Sequence, residues 1–177
     1  MKFLPVDSID QAKRVPFSIR NYRDGDFDTL LAIDQSCFAP EIAYSAFELK
    51  TYINRKGSFT FVAESSELSE GKSGGTSIIG FIVGEQSRGT GHIITIDVRT
   101  EARRHRVGSE LLKLAEKQLR LWKSNAVRLE TAVDNISALS FYNRHGYHVI
   151  KTIPRYYSNG LDALLLEKDL LSLAPSR

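Results

Sequence analysis

Arg103-Arg104-His105-Arg106-Val107-Gly108-Ser109 is the stretch of this chain whose residue types and spacing bear most directly on chemistry, and it runs straight into the helical pattern Glu110-Leu111-Leu112-Lys113-Leu114-Ala115-Glu116-Lys117. The first turn of a helix carries unpaired N–H groups and a partial positive charge, so its own stability asks for Asp or Glu there. Three arginines and a histidine oppose that dipole. The choice makes sense where an anion docks, its oxygens taking the free N–H groups while guanidinium forks take its charge. A phosphate is the expected ligand; a solvated basic helix start or a nucleic-acid contact is the plainer alternative. Glu130 is the second candidate. Its segment alternates Val127, Leu129, Thr131 and Val133 on one mostly apolar face with Ala126, Arg128, Glu130 and Ala132 on the other. The second face is too polar for a plain core, which leaves either a cleft on that side or a surface pair between Glu130 and Arg128.

Holding these residues in place takes a strand before the basic turn and a long helix after it. His92 to Val98 is a β-branched run of strand type. After the turn, Val107, Leu111, Leu112, Leu114, Ala115, Leu119, Leu121 and Trp122 fall on one side of a helix, with Lys113, Glu116, Lys117, Arg120 and Lys123 opposite. So wide an apolar stripe suits packing on a sheet. Ser124-Asn125 stops the helix, and Val127 to Val133 is the next strand. Asn135 is placed to cap a helix from Ile136 to His145, Gly146 to end it, and a hairpin of Tyr147 to Ile153 and Leu161 to Leu166 follows around a turn at Pro154 to Gly160. Upstream, strands are expected at Ser18 to Tyr22, Phe59 to Ala63 and Ile78 to Val83, with a turn from Ser87 to Gly91. One helix starts at Phe27 and ends near Cys37; another opens on the capping box Ser45-Ala46-Phe47-Glu48. Ser65 to Thr76 reads as a mobile hairpin loop, and its Gly71-Lys72-Ser73 fails as a phosphate-binding loop because Ser66 stands where the first glycine belongs and no helix follows. The order predicts a mixed α/β layer fold in one domain, residues 18–170, between tails at 1–17 and 171–177.

Composition narrows the classes. Hydrophobic residues make up 42% and charged residues 25% of the 177, as in a soluble globular protein. No apolar run approaches the ~20 residues that span a membrane and the opening residues have no apolar signal core, so the expectation is a cytoplasmic protein without membrane contact. Cys37 stands alone and no Cys/His cluster has zinc spacing, so no metal is expected. Net charge is 24 minus 21, or +3, too mild to argue for nucleic acid.

Ile96-Asp97-Val98 followed by Arg103 to Gly108 resembles the acetyl-coenzyme A loop of the GCN5-related N-acetyltransferases (GNAT), whose pattern is Gln/Arg-x-x-Gly-x-Gly/Ala. Arg103 and Gly108 match its ends, and Arg106 stands where the first glycine usually is. Asn135-x-x-Ala138-x-x-x-Tyr142-x-x-x-Gly146-Tyr147 is similar to the segment after the fifth strand in that family. Gly91-His92-Ile93, Leu129-Glu130 and Arg155-Tyr156-Tyr157…Gly160-x-Asp162-Ala163 resemble its branch that acetylates protein α-amino groups, including the ribosomal-protein-alanine and archaeal N-terminal enzymes. Ala39 to Tyr44 lacks the Pro-Trp feature of the ribosomal-alanine branch.

The resemblance implies a single-domain GNAT-like fold: a central mixed, mostly antiparallel sheet with splayed fourth and fifth strands, the coenzyme's pantetheine arm between them, and flanking helices. It implies acetyl-CoA as cosubstrate, with Arg103, Arg104, His105, Arg106, Val107, Gly108 and Ser109 around the pyrophosphate and the backbone of Ile96, Asp97 and Val98 along the pantetheine. Asp97 points to the other side of its strand, for an ion pair or a substrate contact. Asn135 caps its helix and, by resemblance, also touches the coenzyme. An α-ammonium of pKa about 8 must lose a proton before attacking a thioester, which makes Glu130 the implied base, and Tyr142, otherwise a core tyrosine, the implied acid toward the departing thiolate. Tyr44, Tyr156 and Tyr157 are the implied walls for the acceptor. The implied activity is acetyl transfer to a protein or peptide N-terminus by direct attack, in a monomer or homodimer. Transfer to a small amine or lysine side chain, and a coenzyme-binding or nucleic-acid-binding module without turnover, are the alternatives.

Overall fold

Seven strands form one sheet in the computed structural model, which describes residues 15–67 and 75–171. The Gly71-Lys72-Ser73 stretch and most of both expected tails lie outside the described residues. The elements run β1 (Ser18–Asn21), α1 (Phe27–Cys37), α2 (Ala46–Asn54), β2 (Ser58–Ser65), β3 (Ser77–Ser87), β4 (Thr90–Val98), α3 (Val107–Leu121), β5 (Ala126–Ala132), α4 (Ile136–Arg144), β6 (His148–Ile153) and β7 (Ala163–Asp169). Strand order is β1-β2-β3-β4-β5-β7-β6, antiparallel except for the parallel pair β4–β5. Alternation along the central strands feeds two cores. Phe61 and Ala63 of β2 pack with Leu111, Leu112 and Ala115 of α3, whereas Val62 packs with Leu30 of α1 and Leu49 of α2 on the opposite face.

A parallel pair needs a crossover, and α3 supplies it. Val107, Leu111, Leu112, Ala115 and Leu119 are buried on the sheet. Leu119 lies so close to β4 that a Cβ on Gly91 would come within 2.5 Å of its Cδ1, so glycine is required there for helix and strand to meet. The buried stripe is narrower than its pattern suggests: Leu121 is 68% exposed because it lies on the flank of the helix away from Leu111, Ala115 and Leu119, whereas the next residue, Trp122, packs edge to face on Phe59 of β2. Glu116, on the face read as polar, is buried, because Lys168 of β7 and Tyr147 reach it there.

Several boundaries differ from the expected ones. The stretch read as a turn from Ser87 to Gly91 is mostly strand, and the reversal takes only Arg88 (φ 50°) and Gly89 (φ 80°). Two successive positive φ values give the tight turn whose twist matches that of its strands. β7 extends to Asp169, paired with Ala126 across the full length of β5. The capping box at Ser45 forms, with Glu48 N–H donating to Ser45 Oγ at 3.3 Å and Ser45 N–H to Glu48 Oε2 at 2.9 Å. Val15 to Phe17, read as tail, are docked: Ser65 Oγ donates to Pro16 C=O at 2.7 Å and Phe17 packs on the α3-side core.

Candidate active site

β4 and β5 pair over three residues only, Thr90–His92 with Ala126–Arg128, and then part. Beyond His92 the edge of β4 facing β5 has no strand partner among the described residues, and a cleft of about 1170 Å³ opens there. Ile93 to Val98 form one wall, Leu129 to Ala132 the other, with the start of α3 and one face of α4 at the end. Backbone N–H and C=O groups on a strand edge released from its neighbour suit an extended ligand that carries amides of its own, although Ile94 C=O and Val98 C=O already accept from side chains, Tyr44 Oη and Arg103 Nε.

At the start of α3, Val107, Gly108 and Ser109 line the cleft, and Arg106 makes no side-chain capping bond to the helix. Arg104 (φ 67°) and Arg106 (φ 66°) are both left-handed, the kind of turn that points successive N–H groups into one anion-binding concavity. Arg103, Arg104, Arg106 and Arg144 all border the cleft. Arg103 is partly occupied, since its Nε donates to Val98 C=O at 3.1 Å and its Nη2 approaches Cys37 Sγ at 3.7 Å. His105 lies apart from the cleft lining, its Nδ1 accepting the N–H of Val15 at 3.2 Å. His145 has a partner the sequence did not name. Its Nδ1–H donates to Phe141 C=O at 2.8 Å, which leaves Nε2 of the neutral ring to accept from Ser109 Oγ at 3.1 Å and ties α4 to the basic turn.

Glu130 lines the cleft from β5. The pair with Arg128 does not form, because Arg128 Nε donates instead to Glu167 Oε2 at 2.6 Å, and Glu130 Oε2 accepts from His92 Nε2, also at 2.6 Å. Tyr142 borders the same cleft from α4, 7% exposed, its ring between Phe141 and Tyr147 at centroid distances of 5.2 and 5.5 Å. Burial, with the nearby Asp97 carboxyl, pushes its phenol well above the usual range, so it stays protonated and able to donate. Asn135 caps α4, its Oδ1 accepting the Ala138 N–H at 3.1 Å, and also lines the cleft. Ile96 and Val98 pack on the α3 side of the sheet. Asp97 is buried among β4's opposite-facing groups, where Thr95 Oγ1 donates to it at 3.1 Å and desolvation pushes its carboxyl well upward. Burial pushes the neighbouring Asp34 up to about 6, although Tyr44 N–H donates to its Oδ2 at 2.8 Å.

Tyr44, Tyr156 and Tyr157 meet at the cleft's other end. Tyr44 Oη donates to Ile94 C=O at 3.3 Å; Tyr156 and Tyr157 pack edge to face at 5.0 Å, and burial pushes Tyr157 up to about 12. Ser158 Oγ donates to Glu41 C=O at 2.9 Å, joining the β6–β7 and α1–α2 connections. Sequence reasoning missed Arg144 and Ser158, and it quoted His92 only within the resemblance, without a role. Arg144 was legible: Ser137, Ser140, Phe141 and Arg144 line the cleft at helical spacing, one face of a short helix.

Residues 27–147 match the model of the Acetyltransferase (GNAT) family. The chain belongs to this family. It is 39% identical over 92 residues to an uncharacterized N-acetyltransferase of Methanocaldococcus jannaschii, a match covering 51% of the chain and 59% of that relative. It is 28% identical to an N-alpha-acetyltransferase of Sulfurisphaera tokodaii over 93% of the chain and all of the relative. The crystal structure of Ard1 from Thermoplasma volcanium superposes with a TM-score of 0.76 at 25% identity, over 88% of this chain and 99% of that one. The protein is thus an acetyl-CoA-dependent acyltransferase. The cleft fits that cosubstrate: an open helix N-terminus and four arginines for phosphates lead to an unpaired strand edge for amides. Among the described residues, no helix is long and apolar enough to cross a membrane, and no group of three or more His, Cys, Asp or Glu is placed to hold a metal.

The left-handed Arg106 gives a first test in this GNAT protein. An L-residue there costs about 1 kcal/mol that glycine avoids. Arg106→Gly is expected to raise the Tm of the ligand-free protein by a few degrees, about 2–4 °C per kcal/mol at this size. Losing one positive charge from the cleft lining is expected to weaken acetyl-CoA binding several-fold at the same time. Calorimetry with and without acetyl-CoA separates the two effects, and an unchanged or lower ligand-free Tm would contradict the strain argument.

Proposed function

We propose that the protein transfers the acetyl group of acetyl-CoA to the α-amino group of a peptide or protein N-terminus by direct attack. The observation that carries this reading is the Glu130 carboxylate on the cleft wall, left without an arginine partner by the Arg128–Glu167 pair, in a cleft that also holds the protonated Tyr142 phenol. Acetyl-CoA supplies the activated acetyl thioester. Glu130 takes a proton from the acceptor ammonium, directly or through one water, and the freed nitrogen lone pair then attacks the acetyl carbon. Tyr142 donates its proton to the sulfur as the C–S bond breaks, and the proton released by the new amide nitrogen restores the phenol. Direct transfer is supported by Cys37, whose thiol is pushed up by burial and held against Val98 C=O at 3.6 Å, a poor nucleophile.

The acceptor class rests on the far end of the cleft. There Tyr44, Tyr156 and Tyr157 line the cleft beside the Ser158–Glu41 bridge, aromatic walls with polar tips that suit the end of a peptide chain. The resemblance to the Sulfurisphaera tokodaii N-alpha-acetyltransferase over 93% of the chain supports the same choice. Mass spectrometry of a peptide panel with free and blocked α-amines, beside lysine and polyamine controls, tests it. Acetylation of free α-amines alone is expected, reduced in Tyr142→Phe. Products confined to lysine or polyamines would transfer the chemistry to another acceptor.

A further inference from the structure

The first turn of α3 rests on α4 through one packed contact and one polar one. His145 closes α4, its ring tilted against Phe141 at a centroid distance of 4.4 Å, and a Cβ on Gly108 would lie 3.6 Å from that same Phe141 ring. The polar contact joins Ser109 Oγ to His145 Nε2 at 3.1 Å. A carbonyl only accepts, so the 2.8 Å contact to Phe141 C=O fixes a hydrogen on Nδ1, and Nε2 of the neutral ring takes the hydrogen of the serine hydroxyl. Ser109 is the third residue of α3 and lines the cleft among the N–H groups of the helix start. His145 is outside the lining, half-buried behind the serine.

In this arrangement the hydroxyl at the anion site gives its hydrogen to the histidine. An ionised phosphate oxygen can only accept, so Ser109 serves a phosphate only once Nε2 stops accepting. A proton from solvent on Nε2 does this. The imidazolium then donates from both nitrogens, Nδ1–H to Phe141 C=O and Nε2–H to Ser109 Oγ, and the serine hydrogen is released to the anion. We infer that His145 is a positioning residue for acetyl-CoA, which takes up one proton as the phosphates dock and thereby turns the Ser109 hydroxyl into a donor to them. One proton joins with the coenzyme and one leaves with it. The charged groups around the ring are basic or already paired. Arg144 precedes it on α4 and borders the cleft, as do Arg104 and Arg106 of the turn. Lys113 and Glu116 follow Ser109 on its face of α3, bound to Glu110 at 2.8 Å and to Lys168 of β7 at 2.7 Å, and Lys168 also passes Gly146. His105 is turned to the N–H of Val15. A docked anion is therefore what favours a charged ring. The inference uses the cosubstrate alone and is independent of which amine accepts the acetyl group.

Titration calorimetry of acetyl-CoA into the ligand-free protein, in buffers of different ionisation heat, counts the protons taken up on binding. Near neutral pH, where an ordinary histidine is mostly uncharged, wild type is expected to take up about half a proton or more. A ring charged only in the complex strengthens binding at low pH, and that gain is lost as pH rises, so Kd should weaken by about 5–10-fold from pH 6.5 to 8.5. His145→Gln keeps a hydrogen-bonding side chain that cannot take a proton, and Ser109→Ala removes the hydroxyl between ring and anion. Both should lose most of the uptake and most of the pH dependence of Kd, a readout that a merely structural contact does not move. The phosphomonoester of coenzyme A also titrates, near pH ~6, but alike in all three proteins, so the difference between them carries the test. Equal uptake in wild type and His145→Gln overturns the inference. So does uptake that disappears in His145→Gln but persists in Ser109→Ala, because the ring then acts without the serine. Should His145→Gln fail to fold, the wild-type count and Ser109→Ala decide, and no uptake by wild type overturns the inference by itself.

Discussion

Glu130→Gln is expected to fold and bind acetyl-CoA as the wild type does, and to turn over ~10²–10⁴-fold more slowly near neutral pH, the range in which general-base catalysis contributes. The side chains are nearly isosteric, the backbone of residue 130 stays paired with Leu165 on β7, and an amide oxygen can still accept from His92. What is lost is the ability to take a proton. The deficit should therefore depend on pH in one direction. An α-amine with a pKa of about 8 is mostly ammonium at neutral pH and needs the base, whereas above that value more of it arrives already neutral. The gap between Glu130→Gln and wild type narrows as pH rises from 7 to 9.5. Tyr142→Phe should not show this, because protonating the leaving sulfur is needed whatever the state of the amine. Paired pH–rate profiles check the contrast, and a Glu130→Gln deficit constant across that range would remove Glu130 from the base role and leave it a binding group.

What could be read from the chain and what could not divides along a physical line. The basic turn was legible because helix-end electrostatics are local: arginines where the dipole asks for acids need no tertiary information to look odd. Asn135, Tyr142 and the capping box at Ser45 are local in the same sense, a cap or a helical repeat within a few residues. The alternation of β5 predicted that Glu130 faces away from the apolar side, yet its partner came out differently. Arg128 and Glu130 are near in sequence, but β7 brings Glu167 opposite Arg128 and β4 brings His92 beside Glu130, and register between distant strands is invisible in one segment. The point at which β4 and β5 part is equally hidden. Both strands read as ordinary runs of strand type, so the splay was expected from the family resemblance alone, and the residue at which it begins shows only when the pairing is laid out. His105 was grouped with its basic neighbours by position, whereas its ring turns toward Val15.

The same limit hides the largest stability effect, which sits at Glu116. On the helical pattern it belongs with Lys113 and Lys117 on a solvated face; in the fold it is 4% exposed and accepts from Lys168 Nζ at 2.7 and 2.8 Å and from Tyr147 Oη at 3.1 Å. Replacing one member of a buried ion pair strands the other, at a cost of about 3–5 kcal/mol. Lys168 keeps some access to water, with 23% of its side chain exposed, so Glu116→Ala is expected at the lower end, about 3 kcal/mol. That lowers Tm by roughly 6–12 °C at this size. Glu116 lies outside the cleft lining, so kcat and acetyl-CoA affinity measured well below the melt should hold. If the loss comes from the orphaned ammonium and hydroxyl, removing them restores stability. Glu116→Met with Lys168→Met should recover most of it, and adding Tyr147→Phe the remainder, since an apolar cluster replaces a buried pair at little or no cost. If the triple variant instead melts no higher than Glu116→Ala, the ion pair is not what holds α3 to β7 here, and the stability lost at Glu116 must be traced to the helix itself.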